Sequence, residues 1–230
     1  MNLRKDKKTV HLAIALDESG SMAGTKKETI SGINEQLQEL KKTSSIDSTV
    51  TLVTFAGPTD IKVIHSVTPI GQVKELTDND YNPNGGTAMY DGVGRLLNEI
   101  QQKVVDDETT TYLVLIVSDG EENSSSEYKS ADIADMIQKR LGTKRWSVNY
   151  IGANQDLTVV TQSLGINLGN SHRYKSNVVG TRAMWNTTKD CTAMYLAKCS
   201  TATDIKGLNA ANVEYFDPTV VTTSADTKIN

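Results

Sequence analysis

The chain has 230 residues, 37% of them hydrophobic and 23% charged, which is enough for one sizeable α/β domain and an extension. A net charge of −4 points away from nucleic-acid or anionic-membrane partners. The basic opening MNLRKDKK is followed by an apolar run at 10–16 that is too short to cross a membrane and has no signal-peptide cleavage region, so the default compartment is the cytoplasm.

The run at 10–16 reads as a buried strand. A helix is expected over 25–42, with Thr25 and Glu28 as a capping box and Ile30, Ile33, Leu37 and Leu40 on one face. Strands follow at 49–55 and 61–67. The turn Gly57-Pro58-Thr59-Asp60 between them is too short for a crossover, so they pair antiparallel. A long loop at 68–86 is rich in Gly, Pro and Asn, and such loops at a binding face carry partner specificity. A helix at 88–104 precedes the unbroken apolar strand 111–117, of the kind found inside a parallel sheet. Then come a helix at 127–141, a strand at 146–151, a helix at 154–164 with Asn154 at its cap, a short sixth strand near Arg173 and Tyr174, and a helix at 178–198.

This alternation predicts an α/β fold: a doubly wound, Rossmann-like, mostly parallel six-stranded sheet with one antiparallel edge strand and helices on both faces. The expected divisions are an N-terminal arm at 1–8, the domain at 9–198 and a Thr/Ser/Asp/Asn-rich tail at 199–230. Tyr215, Phe216, Val220 and Val221 are the natural anchors of that tail.

The most informative segment is Asp17-Glu18-Ser19-Gly20-Ser21, on the turn leaving the first strand. One carboxylate and two hydroxyls alternate along it, which suits a hard, oxygen-loving cation such as Mg²⁺. Gly85-Gly86-Thr87 precedes a helix and Ser118-Asp119-Gly120 ends the fourth strand, in the same style. Ligands of open α/β sheets bind at the carboxyl ends of strands, so Asp17 and Asp119 share a face if strands one and four are neighbours. Taken singly, each element also reads as a helix cap, with Asp17, Ser19 and Asp119 serving only the following helices.

Taken together, Asp-x-Ser-x-Ser, then Thr, then Asp resembles the metal-ion-dependent adhesion site of von Willebrand factor type A (VWA) domains, and all five positions match. The resemblance implies that Ser19 and Ser21 give hydroxyl oxygens to Mg²⁺ (or Mn²⁺), that Thr87 is the third hydroxyl, and that Asp17 and Asp119 hold the ion directly or through water. It also implies that Gly20 lets the turn approach the ion and that Gly85 and Gly86 permit the loop that delivers Thr87. The ion is then left open to an Asp or Glu carboxylate of a protein partner. The segments Tyr150-Ile151-Gly152-Ala153-Asn154-Gln155-Asp156, Leu164-Gly165-Ile166 and Gly180-Thr181-Arg182-Ala183 look like those of stand-alone bacterial or phage members.

Other features carry structural readings. Glu121 and Glu122 form a solvated turn at the rim, Asp91 supports a helix start, and His11, His65 and His172 are too scattered for a zinc site. Cys191 and Cys199 are read as small helical residues that do not bridge, and Trp146 and Trp185 as core.

Three functions follow. The first is a non-enzymatic, metal-dependent protein-binding module. The second is a structural subunit of a larger assembly, such as that of a phage, in which the metal is dispensable. The third is a Mg²⁺-dependent phosphoryl-transfer enzyme, which is disfavoured because haloacid-dehalogenase-like enzymes need an acid where this chain has Ser19, and because the chain has no phosphate loop or nucleophile elbow.

Overall fold

The computed structural model describes residues 8–104, 109–202 and 215–216. Strands β1 (Thr9–Asp17), β2 (Asp47–Phe55), β3 (Ile61–Pro69), β4 (Thr110–Ser118), β5 (Trp146–Ala153) and β6 (Ser171–Tyr174) form one six-stranded sheet in the order β3-β2-β1-β4-β5-β6. Every neighbouring pair is parallel except β2 and β3, as the short turn requires. Strands β1 and β4 are neighbours, with Leu16 opposite Val117, so Asp17 and Asp119 emerge side by side at the carboxyl edge.

Helices α1 (Lys26–Lys42), α2 (Met89–Lys103), α3 (Ser130–Leu141), α4 (Leu157–Leu164) and α5 (Val178–Thr201) cover both faces. The period-two alternation of the strands divides the core. Leu12, Ile14 and Leu16 of β1 pack with Leu113, Leu115 and Val117 of β4 against Ile33 and Leu37 of α1 and Met184, Trp185 and Leu196 of α5. Ala13, Ala15, Val53, Phe55, Val114 and Ile116 point the other way, onto Val93, Leu96 and Ile100 of α2 and Ile133 and Ile137 of α3. Sheet residues are therefore apolar on both sides, and each fully buried Leu or Ile contributes about 1.5–3 kcal/mol relative to exposure. Helices α1 and α5 meet where Gly32 receives the Trp185 indole, and a methyl at position 32 would lie 2.1 Å from the ring.

Three local expectations are corrected. The segment after β1 runs first as a 3-10 helix (Gly20–Thr25), and Thr25 Oγ1 donates back to Met22 O at 3.3 Å, so Thr25 and Glu28 make no capping box. Asn154 sits at φ +58° outside α4, and Asp156 caps that helix by accepting from Thr158 N at 2.9 Å. Helix α3 starts at Ser130 rather than near 127 because the Asp91 carboxylate takes the N–H groups of Ser126, Glu127 and Tyr128, at 2.8, 3.0 and 2.8 Å. Buried Asp91 stands in the first turn of α2, where a carboxylate suits the helix start, and it also pins the loop before α3.

Helix α5 is fixed at several points. Lys8 Nζ donates to the carbonyls of Cys199, Ser200 and Ala202 at its last turn. Tyr215 and Phe216 are buried against it, with the Tyr215 hydroxyl donating to Thr188 O at 2.9 Å and lying 2.7 Å from Thr192 Oγ1. The other two expected anchors, Val220 and Val221, lie outside the described residues, as do residues 1–7 of the N-terminal arm. Cys191 and Cys199 are buried on α5 and form no disulfide among the described residues. Trp146 and Trp185 are core residues. Among the described residues no helix is long and apolar enough to cross a membrane.

Candidate metal centre

Asp17 is the last residue of β1, fully buried between β2 and β4. One carboxylate oxygen accepts from Ser19 N at 2.7 Å, and the other accepts from Ser118 Oγ at 2.6 Å. The turn is drawn tight by Glu18 N donating to Phe55 O at 2.7 Å and Met22 N donating to Ser19 O at 3.1 Å. This turn places Ser19 Oγ 3.0 Å from Ser21 Oγ, and Ser21 Oγ donates to an Asp119 carboxylate oxygen at 2.5 Å. The second Asp119 oxygen accepts from Ser176 Oγ at 2.7 Å.

Thr87, 3% exposed, arrives from the long loop. Its N–H donates to Asn123 Oδ1 and Ser124 Oγ, both at 3.0 Å, and its carbonyl accepts from Asn123 N at 3.0 Å. A methyl placed on Gly120 would lie 3.2 Å from Thr87 Oγ1 and 3.6 Å from Ser21 Oγ, so the third hydroxyl converges on the same spot. All five sequence-predicted residues are thus brought together. No hydrogen bond among the described residues uses Thr87 Oγ1, which leaves it available to an ion.

The glycines divide. Gly85 has φ +69°, which a side chain resists, and a methyl on Gly86 would lie 2.1 Å from Ser124 Oγ. At Gly20 a methyl would rest at an ordinary 3.5 Å from Gly85 O, so packing against the neighbouring loop does not demand glycine there.

Several supporting residues had no legible signal. Tyr81 is fully buried and donates its hydroxyl to Asp17 O at 2.6 Å. Glu18 is 1% exposed; one of its oxygens accepts from Lys62 Nζ at 2.9 Å and Asn82 N at 2.5 Å, and the other has no partner among the described residues. Lys26 Nζ donates to Asp78 O and Asn82 Oδ1, at 2.9 and 3.1 Å, tying the long loop to α1. Glu122 is no solvated turn: its carboxylate accepts from Ser124 N, Ser125 N and Tyr90 N, which fixes the segment that clamps Thr87. Ser118 was visible as the one hydroxyl ending an apolar strand, whereas Ser176 stands 57 positions from the carboxylate it serves.

The electrostatics favour a cation. Burial pushes the Asp17 carboxyl up to about 6, partly offset by hydrogen bonds from Ser118 and Ser19, while the neighbouring Asp119 pushes it further up. Burial likewise holds the Tyr81 and Tyr174 hydroxyls neutral, reinforced by the two Asp carboxylates nearby. The donor set is all oxygen, which fits a hard divalent ion. Among the described residues no group of three or more His, Cys, Asp or Glu could hold a metal, so an ion at this place would depend on the hydroxyls.

No protein-family model matches the chain, and no curated protein matches it by sequence. Solved structures do match. The PilB minor pilin from Streptococcus sanguinis superposes with TM-score 0.59 at 14% identity, covering 85% of this chain and 64% of that one. The pilus adhesin SpaC from Lactobacillus rhamnosus GG, in its open conformation, gives 0.60 at 12%, covering 84% and 30%. Proximal thread matrix protein 1 from the mussel byssus, with a zinc-occupied MIDAS motif, gives 0.55 at 14%, covering 83% and 46%. The chain therefore spans less than two thirds of each of these proteins. What it shares with them is the fold, a VWA-like mixed six-stranded sheet with helices on both faces.

Proposed function

We propose that this chain is a non-enzymatic protein-binding module. Asp17, Ser19, Ser21, Thr87 and Asp119 would hold a Mg²⁺ ion, or Mn²⁺, and the ion would offer a coordination position to an Asp or Glu side chain of a protein partner. The observation that carries this reading is the Ser21–Asp119 hydrogen bond at 2.5 Å, which joins the hydroxyls of the turn after β1 to the carboxylate that follows β4. Ser118 and the Ser19 N–H orient Asp17, Ser176 orients Asp119, and the 122–125 segment presents Thr87. The named roles of the neighbours, pilus adhesin and minor pilin, support a binding role, and the mussel protein's zinc-occupied motif supports a divalent ion. Buried Cys191 and Cys199, which form no disulfide among the described residues, are compatible with a reducing compartment such as the cytoplasm.

The test joins two measurements. Mg²⁺ should raise the melting temperature of wild type and not of Asp17→Ala. Immobilised wild type should retain a partner in Mg²⁺ and release it in EDTA. A partner kept in EDTA and by Asp17→Ala would move the interaction to another surface. Metal-dependent turnover of a generic phosphoester, lost in Asp17→Asn, would replace the binding reading with an enzymatic one.

A further inference from the structure

A cavity of about 630 Å³ opens beside the proposed metal centre, where β5 and β6 end and α5 begins. Its wall is continuous with the centre. Ser176 donates to the Asp119 carboxylate at 2.7 Å, and Asn154 Nδ2 donates to Asp119 O at 3.4 Å. Gln155 also bonds to Gly120 O. The cavity is also lined by Arg173 and Lys175, both exposed and neither paired with a carboxylate among the described residues. One acidic group, Asp156, faces the same space and accepts from Thr158 N at 2.9 Å, so the lining sets two cationic side chains against one carboxylate. Tyr174 stands in the wall, 8% exposed, with a buried hydroxyl that has no partner among the described residues. The start of the 24-residue α5 adds the positive end of its dipole. On a chain of net charge −4, this is a local positive basin next to a proposed cation.

We propose that this basin is a second subsite for the same partner. It takes a second acidic side chain of the partner segment while the first reaches the metal, so the ligand is an acidic peptide segment with two carboxylates. This inference rests on the metal-bridged reading above. Arg173 and Lys175 supply the charge, Arg173 as a planar fork and Lys175 as a mobile point charge. Ser176 links the two subsites, because its hydroxyl holds the Asp119 carboxylate on one side and lines the basin on the other. The basin sets specificity: a partner with one isolated acid gains only the metal contact.

The experiment uses the full chain with Mg²⁺ and capped peptides carrying either one Asp or two Asp separated by short glycine spacers. Binding is followed by chemical-shift titration of the labelled protein, and the readout is the affinity ratio of the best two-acid peptide to the one-acid peptide. Exposed ion pairs are weak, so a ratio of about three to tenfold is expected in wild type. It should collapse towards one in Arg173→Gln/Lys175→Gln and shrink as salt rises. A wild-type ratio near one, with Mg²⁺-dependent binding of the one-acid peptide intact, overturns the second subsite and leaves the metal-bridged reading standing. A ratio that survives the double substitution also overturns it. Absence of Mg²⁺-dependent binding by either peptide removes the metal-bridged reading and this inference together.

Discussion

The hydroxyl of Tyr81 donates to the main-chain carbonyl of Asp17 at 2.6 Å, across 64 positions of sequence. The bond anchors the long loop that ends in Thr87 directly to the strand end that carries the first carboxylate. Tyr81→Phe keeps the ring and removes the bond. The buried carbonyl then loses its side-chain donor, at a cost of about 1–2 kcal/mol. We expect a melting temperature lower by about 2–6 °C and weaker Mg²⁺-induced stabilisation, both read from melts with and without the ion.

Asp17 trades stability for binding. With its folded-state value held at about 6 against an ordinary 3.8, the metal-free fold binds protons that the unfolded chain has released. Its contribution is therefore fully favourable below about 3.8 and is lost as pH rises through about 6. Asp17→Asn removes that dependence. Its amide can donate to Ser118 Oγ, because the Ser118 hydroxyl has a second acceptor in Gly120 O at 2.9 Å. In EDTA at neutral pH this variant should be more stable than wild type, by on the order of 2–3 kcal/mol. It should also lose all stabilisation by Mg²⁺. A variant less stable than wild type in EDTA contradicts the account.

His11 works in the opposite sense. It is fully buried on β1, with its ring nitrogens 2.7 and 3.0 Å from the hydroxyls of Thr49 and Thr51, and burial pushes it down from 6.5 to about 4. The unfolded chain therefore takes up a proton before the fold does, and stability falls as pH drops from about 6.5 towards 4. Urea melts across that window in the Asp17→Asn background follow this contribution together with that of His172, which burial also pushes down, and a His11 substitution separates the two. Replacing His11 with Gln should flatten the slope there, whatever it does to absolute stability.

Two glycines should separate fold from site. A methyl at Gly32 would meet the Trp185 indole at 2.1 Å, deep between α1 and α5. Gly32→Ala should destabilise by about 1–3 kcal/mol and leave Mg²⁺ affinity close to wild type. At Gly86 the obstacle is the Ser124 hydroxyl, one of the two acceptors for Thr87 N. Gly86→Ala should weaken Mg²⁺ binding with a smaller loss of stability, and Ser124→Gly in the same chain should recover part of the folding loss but not the missing hydrogen bond. Calorimetric titration beside thermal melts measures both.

Much of this was legible because it is local. The strand runs at 10–16 and 111–117, the short turn after Phe55, and the spacing of Ser19 and Ser21 from Asp17 each specify backbone within a few residues. The sheet order then places Asp17 beside Asp119. What escaped is long-range. Tyr81, Asn123 and Ser176 reach the centre through folds of the chain that no periodicity records. Asn154 looks like a helix cap in sequence, and Asp91 looks like no more than support for a helix start. A left-handed backbone sets the first outside its helix, and three N–H groups from a distant loop occupy the second.

The return of Tyr215 and Phe216 to the flank of α5 fixes how the molecule would bear mechanical load. Tension applied at Phe216 enters the body beside Tyr215, whose hydroxyl is tied to Thr188 and Thr192 near the middle of α5. The force is then delivered partway along the helix rather than peeling it from its last turn, where Lys8 holds the terminal carbonyls. Anchoring at Phe216 should therefore withstand higher rupture forces than anchoring at Ala202.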